Sequence, residues 1–97
     1  VMTSPRAERI KAMLERRFAA ARVAVEDDSA RHAGHAGARD GAGHFIVRIE
    51  SQEFSGRSRL ERHRLVYEAL ASMLPREIHA LNILAVSPED DIPLRTP

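Results

Sequence analysis

Five histidines and no cysteine define the chemistry open to this chain of 97 residues. Without thiols it can form no disulfide and offer no thiolate to a metal, a cluster or a substrate, so any soft-ligand chemistry must be borrowed from another molecule. His79 stands in "PREIHALNI", residues 75–83. Pro75 is expected to stop the preceding helix, and Leu81, Ile83 and Ala85 alternate as in a half-buried strand. An imidazole at such a helix-to-strand junction reads most simply as a side chain that closes the junction by bonding to backbone. His32 and His35 lie in "ARHAGHAGARDGAG", residues 30–43, which holds four glycines and almost nothing that could pack. A loop of this length is either functional or simply solvated. Two imidazoles without a third ligand make a poor zinc or nickel site.

Arginine supplies a second candidate. "GRSRLERHR", residues 56–64, carries Arg57, Arg59, Arg62 and Arg64 against Glu61. Four guanidiniums near a helix N-terminus could grip phosphates, though a solvated helix face or a dock for an acidic partner accounts for them equally well. His63 shares a helical face with Val66, Tyr67 and Leu70, which suits packing better than catalysis. The pairs Asp27-Asp28 and Asp90-Asp91 are neighbours on turns and do not converge on a substrate. No nucleophile-and-base arrangement, HExxH or phosphate-binding glycine loop occurs, so an enzyme is not expected, nor a small-molecule substrate.

The composition sets the limits. Fifteen basic residues, nearly all arginine, face fourteen acidic ones, so binding to nucleic acid would need a local patch. A chain this short buries one modest core, giving a single domain over 1–97 with flexible ends at 1–3 and 88–97. No apolar run approaches the ~18 residues that span a bilayer, and no signal peptide is visible, so a soluble cytoplasmic protein without membrane contact is expected.

The elements that must position these residues follow from periodicity. Ser4-Pro5 opens a helix over about 4–20 with Ile10, Met13, Leu14 and Phe18 on one side. Val23 and Val25 mark a first strand, and Phe45, Val47 and Ile49 mark a second that pairs with it antiparallel. Phe54-Ser55-Gly56 forms an exit turn. Ser58 and Glu61 have capping-box spacing before a helix whose buried stripe is Val66, Ala69, Leu70 and Met73. The third strand is expected at 81–86, after a turn of helix at "REIH". A helical crossover makes the second and third strands parallel, giving an α+β fold: a mixed three-stranded sheet with helices on one face.

On these residues the chain resembles the BolA family. The matching string is "GHFIVRIESQEFSGRSRLERHRLVYEALASMLPREIHALNILAVSPED", residues 43–90, preceded by "VEDDSARHAGH" at 25–35. It carries the family's HF, its Ser, Phe and Gly, its RHR-VY and its IHAL. The resemblance implies a BolA-like αββαβ fold related to the class II KH fold. It also implies an adaptor that binds a monothiol glutaredoxin and co-ligates a [2Fe-2S] cluster, in iron-sulfur trafficking or iron/redox regulation; a bacterial source is expected from the bias toward arginine and alanine. In that reading the partner and glutathione bring sulfur, while this chain offers His79 and a loop histidine, His32 by alignment from "DDS" with His35 as the alternative; the isolated chain would hold no cofactor. The alternative function is a KH-like transcriptional regulator that binds DNA through Arg57, Arg59, Arg62 and Arg64, although "FSGRS" lacks the GXXG motif of KH loops.

Overall fold

The computed structural model describes residues 3–29 and 43–90. Ser4 is extended (φ −159°, ψ 166°), and its hydroxyl accepts the Ala7 N–H at 3.2 Å. Pro5 follows where its missing N–H costs nothing, and helix α1 runs Pro5–Arg17. It stops short of the expected residue 20 because Phe18 swings to extended backbone (φ −112°, ψ 129°) while its N–H still reaches the Leu14 carbonyl. Phe18 is thereby fully buried beside Ile10 and Leu14.

Strand β1 (Arg22–Asp27) pairs antiparallel with β2 (Gly43–Glu50), Val23 against Ile49 and Val25 against Val47. Strand β3 (Ile78–Val86) pairs parallel with β2, Val47 against Ile83 and Ile49 against Ala85, so β2 is central. Phe45, Val47 and Ile49 are buried against Ile10 and Leu14 of α1, Val66 of the second helix and Leu70 just past its end, in one cluster. His44, Ile46, Arg48 and Glu50 occupy the opposite, half-buried face of β2. The expected mixed sheet with its helices on one side is therefore present.

The exit from β2 is a 3-10 turn, Gln52–Phe54, that carries Phe54 into the core; Gly56 then adopts a left-handed φ of 73°. Ser58 and Glu61 form the capping box, with Glu61 Oε1 accepting the Ser58 N–H at 2.8 Å and Ser58 Oγ accepting the Glu61 N–H at 3.1 Å. Helix α2 runs Arg59–Ala69. It ends well before Pro75, correcting the reading of that proline as its stop. The reason lies at Leu70 (φ −106°, ψ 13°), whose N–H is shared among the carbonyls of Val66, Tyr67 and Glu68, so the chain tightens into a 3-10 turn at Ala71–Met73. Strand β3 likewise starts at Ile78 rather than 81, because Gly43 pairs with Ile78 and donates its N–H to the Glu77 carbonyl at 3.0 Å.

As an edge strand, β3 presents backbone groups that β2 cannot satisfy. Helix α2 covers part of this edge: Arg62 Nη1 donates to the Ala85 carbonyl at 3.0 Å, and His63 hydrogen-bonds the backbone of Ile83. Among the described residues, no helix is long and apolar enough to cross a membrane.

Candidate functional site

The parallel pairing of β2 with β3 contains one irregularity. Gly43 pairs with Ile78, but His44 pairs with Ala80, so β3 carries an extra residue at this point. Its effect shows in the side chains. Ile78 and Leu81 both pack against the core, although they stand three positions apart, whereas a regular strand returns to the same face at even spacing. The two intervening residues, His79 and Ala80, are displaced together toward the face that carries His44.

His79 is therefore not at the end of a helical turn, as its sequence position suggested; it lies within β3, and the bulge aims its ring. It is exposed, while His44 beside it is half-buried. The two ring centroids are 5.2 Å apart with their planes tilted by 54°. A metal about 2 Å from each nitrogen lies about 3 Å from each ring centre, so two imidazoles on one tetrahedral ion stand about 5 Å apart. The observed spacing is compatible with that separation.

The backbone around His44 is held from β1. Asp28 donates its N–H to the His44 carbonyl at 2.8 Å, and Ser29 Oγ accepts the His44 N–H at 3.2 Å. Ser29 is itself fixed by Asp27 Oδ1, which accepts its N–H at 2.8 Å. Gly43 makes the approach possible: a Cβ there would lie 2.6 Å from Ser29 Oγ and 2.8 Å from the Phe45 ring. The β1–β2 connection thus leaves and re-enters the described structure beside the histidine pair. His32 and His35 lie outside the described residues. A cavity of about 300 Å³ opens next to His44, with Asp28, His44, Ile46, Ala80 and Asn82 in its walls; His79 does not line it.

His44 as a neighbour of His79 was not foreseen. Its strand position was legible, but the contact depends on the register between strands separated by a whole helix. The available signal was Ile78 and Leu81, two apolar residues whose odd spacing fits a strand only with an extra residue between them.

The arginines divide into two groups. Arg62 is largely enclosed and bonds Asp90 Oδ2 at 2.6 Å as well as the Ala85 carbonyl, and Asp90 is held by the Ser87 N–H at 2.9 Å. The Arg62 guanidinium, followed by the Ser87 backbone N–H, holds the Asp90 carboxyl far below its ordinary range. Arg57 Nε donates to the Glu53 carbonyl at 2.9 Å but remains exposed. Arg59 and Arg64 are exposed on α2. Arg57, Arg59 and Arg62 line a cavity of about 330 Å³ beside the β3 edge, and Arg64 does not. His63 also lines it; burial first, and then the Arg59 charge, push its pKa down despite the hydrogen bond to Ile83.

Comparison with known proteins decides the ancestry of this arrangement. The family described as BolA-like protein matches residues 14–90. The chain belongs to the BolA-like family. It is 41% identical over 95 residues to the SufE-like protein 1, chloroplastic/mitochondrial, of Arabidopsis thaliana, covering 93% of this chain and 26% of that protein. To Protein BOLA1, chloroplastic, of the same plant it is 39% identical, covering 88% of this chain and 55% of the relative. The chain thus spans only about a quarter and about half of these two curated relatives. The DNA-binding transcriptional regulator BolA of Escherichia coli is 39% identical over 76% of this chain and 68% of its own length. Among solved structures, the BolA domain of SufE1 from Arabidopsis thaliana superposes with a TM-score of 0.77 at 41% identity, covering 89% of this chain and 95% of that one. The BolA fold expected from the family string is the fold of this chain.

Proposed function

We propose that this BolA-like protein is a non-enzymatic adaptor that docks a monothiol glutaredoxin and lends histidine ligands to a [2Fe-2S] cluster that the partner and glutathione hold through sulfur. The observation that carries the reading is the bulge in β3, which turns His79 outward to within 5.2 Å of the His44 ring. A chain with no cysteine can fill only the imidazole half of such a site. Two histidines in place of two thiolates is a known donor set for this cluster and raises its potential above the all-thiolate range. His79 is the fixed ligand, braced by strand pairing on a rigid element. The second is His44, already beside it, or His32 (alternative His35) from the β1–β2 connection, whose two ends meet next to the pair.

The test is co-expression with a monothiol glutaredoxin, anaerobic purification, and visible absorption and circular dichroism of wild type, His79→Ala, His44→Ala, His32→Ala and His35→Ala. His79→Ala is expected to change the dichroism and lower cluster retention, and the second variant that does so identifies the other ligand. Identical spectra from all five complexes would overturn histidine ligation.

A regulator that binds DNA is the second reading, favoured by the exposure of Arg57, Arg59 and Arg64 and by similarity to the Escherichia coli protein. Arg62, already engaged by Asp90 and Ala85, contributes less to it. Binding that falls steeply with salt and weakens in Arg59→Ala and Arg64→Ala is the expected signature, and no binding at low ionic strength removes it.

A further inference from the structure

The cavity between the first turns of α2 and the edge of β3 has no part in the cluster reading, and its chemistry is distinct. Its wall on the sheet side is residues 83–86 of β3. The carbonyl of Ala85 is already taken by Arg62 and the backbone of Ile83 is bonded by His63, so what this wall offers an incoming group is mainly apolar. The rim is cationic. Arg57, Arg59 and Arg62 carry three positive charges and Asp90 one negative charge, while His63, with its lowered pKa, is neutral at neutral pH; three minus one leaves a net charge of +2. Asp90 and Arg62 pair at 2.6 Å, whereas Arg57 and Arg59 form no ion pair among the described residues, although the charge of Arg57 also acts on the Glu53 and Glu61 carboxylates.

A second feature adjoins the first. The two large apolar side chains that stand exposed among the described residues, Leu60 at 59% and Tyr67 at 40%, both lie on α2. They are seven positions apart, two turns along one side of the helix, and His63 stands between them, linking this stripe to the cavity. The cavity, the two arginines at its rim and the exposed pair Leu60 and Tyr67 thus adjoin one another on and just before α2, with His63 common to the cavity and the stripe. At about 330 Å³ the cavity is at the small end of ligand pockets, the size for one side chain rather than a cofactor.

We propose that this track docks an acidic peptide segment of a partner protein, with one apolar side chain in the α2–β3 cavity and flanking carboxylates on Arg57 and Arg59. Nucleic acid fits less well. Tyr67 is the single exposed aromatic among the described residues, so bases find little to stack on; the carboxylates of Asp90 and Glu61 repel phosphates and peptide carboxylates alike. Guanidinium forks pair with peptide carboxylates in two-point contacts, and an apolar anchor supplies the desolvated centre that an interface needs.

The proposal is tested by fluorescence anisotropy on the full chain without any glutaredoxin, so that its outcome is independent of the cluster reading. The probe is fluorescein-labelled acetyl-EEDLFDEE. Comparison probes are the same peptide with Gly-Gly in place of its apolar pair, and a fluorescein-labelled DNA duplex. The variants are the double substitution Arg57→Glu with Arg59→Glu, Leu60→Ala, and Arg16→Glu on the distant helix α1, each checked for folding by circular dichroism. Saturable binding of the acidic peptide is expected, weakened about tenfold or more by the double reversal and by loss of the apolar pair, and by a few-fold in Leu60→Ala, with Arg16→Glu unchanged. Absence of saturable binding overturns it. So does binding indifferent to the arginine reversal, or a DNA duplex that binds more tightly than the peptide with the same arginine dependence.

Discussion

Gly43 has no side chain because Ser29 Oγ and the Phe45 ring occupy the space a Cβ would need. The Phe45 ring is buried and cannot yield cheaply. Gly43→Ala is therefore expected to destabilise the fold by about 1–3 kcal/mol, the usual cost of overpacking, measured as a lower urea midpoint at unchanged slope. His63 makes a different demand, on pH. Burial, then the Arg59 charge, lower its pKa from the ordinary 6.5 in the folded state, so between that lowered value and 6.5 the unfolded chain binds more protons. Stability must then rise with pH across this window, and that gain is lost as the pH falls back through it to the lowered pKa. His63→Gln, which keeps a donor for Ile83, is expected to flatten the slope just below pH 6.5 in chemical denaturation compared with wild type. An unchanged slope would show that His63 titrates alike in both states.

At the scale of elements, α2 depends on its start more than on an amphipathic stripe, since Val66 is its single fully buried residue. Ser58→Ala is expected to cost about 1 kcal/mol by thermal or urea unfolding. This start was legible in the sequence, because a capping box is a local rule that Ser58 and Glu61 satisfy by spacing alone. The alternation of Phe45, Val47 and Ile49 was legible for the same reason. The end of α2 was not: Pro75 is a strong stop, but Leu70 had already drawn the backbone into a tighter turn where no single residue type announces it. The placement of His79 was misjudged because "IHALN" reads equally well as a turn followed by a strand or as a strand with an extra residue, and only pairing with Gly43 and His44 separates the two. The candidate site was half visible: His79 stood out, whereas its contact with His44 belongs to tertiary register.

In the molecule as a whole, one cluster joins every element. Ile10, Leu14 and Phe18 meet Val47, Ile49, Phe54, Val66 and Leu70, and the Phe18 and Phe54 rings lie 5.1 Å apart. Ile49 is fully buried in the central strand, flanked by Val23 and Ala85. Ile49→Ala should cost about 2–5 kcal/mol, a large share of the roughly 5–15 kcal/mol available to a domain of this size. Calorimetry should show one transition at lower temperature. The cover that α2 lays over β3 also governs how copies of the molecule treat each other. With Arg62 and His63 occupying its outer carbonyls, that strand resists recruiting a neighbour's chain, and strong acid, by protonating Asp90, loosens the arginine that does half of the blocking. Arg62→Ala is therefore expected to form aggregates sooner than wild type under gentle heating, visible as earlier light scattering, even where the two proteins melt at similar temperatures.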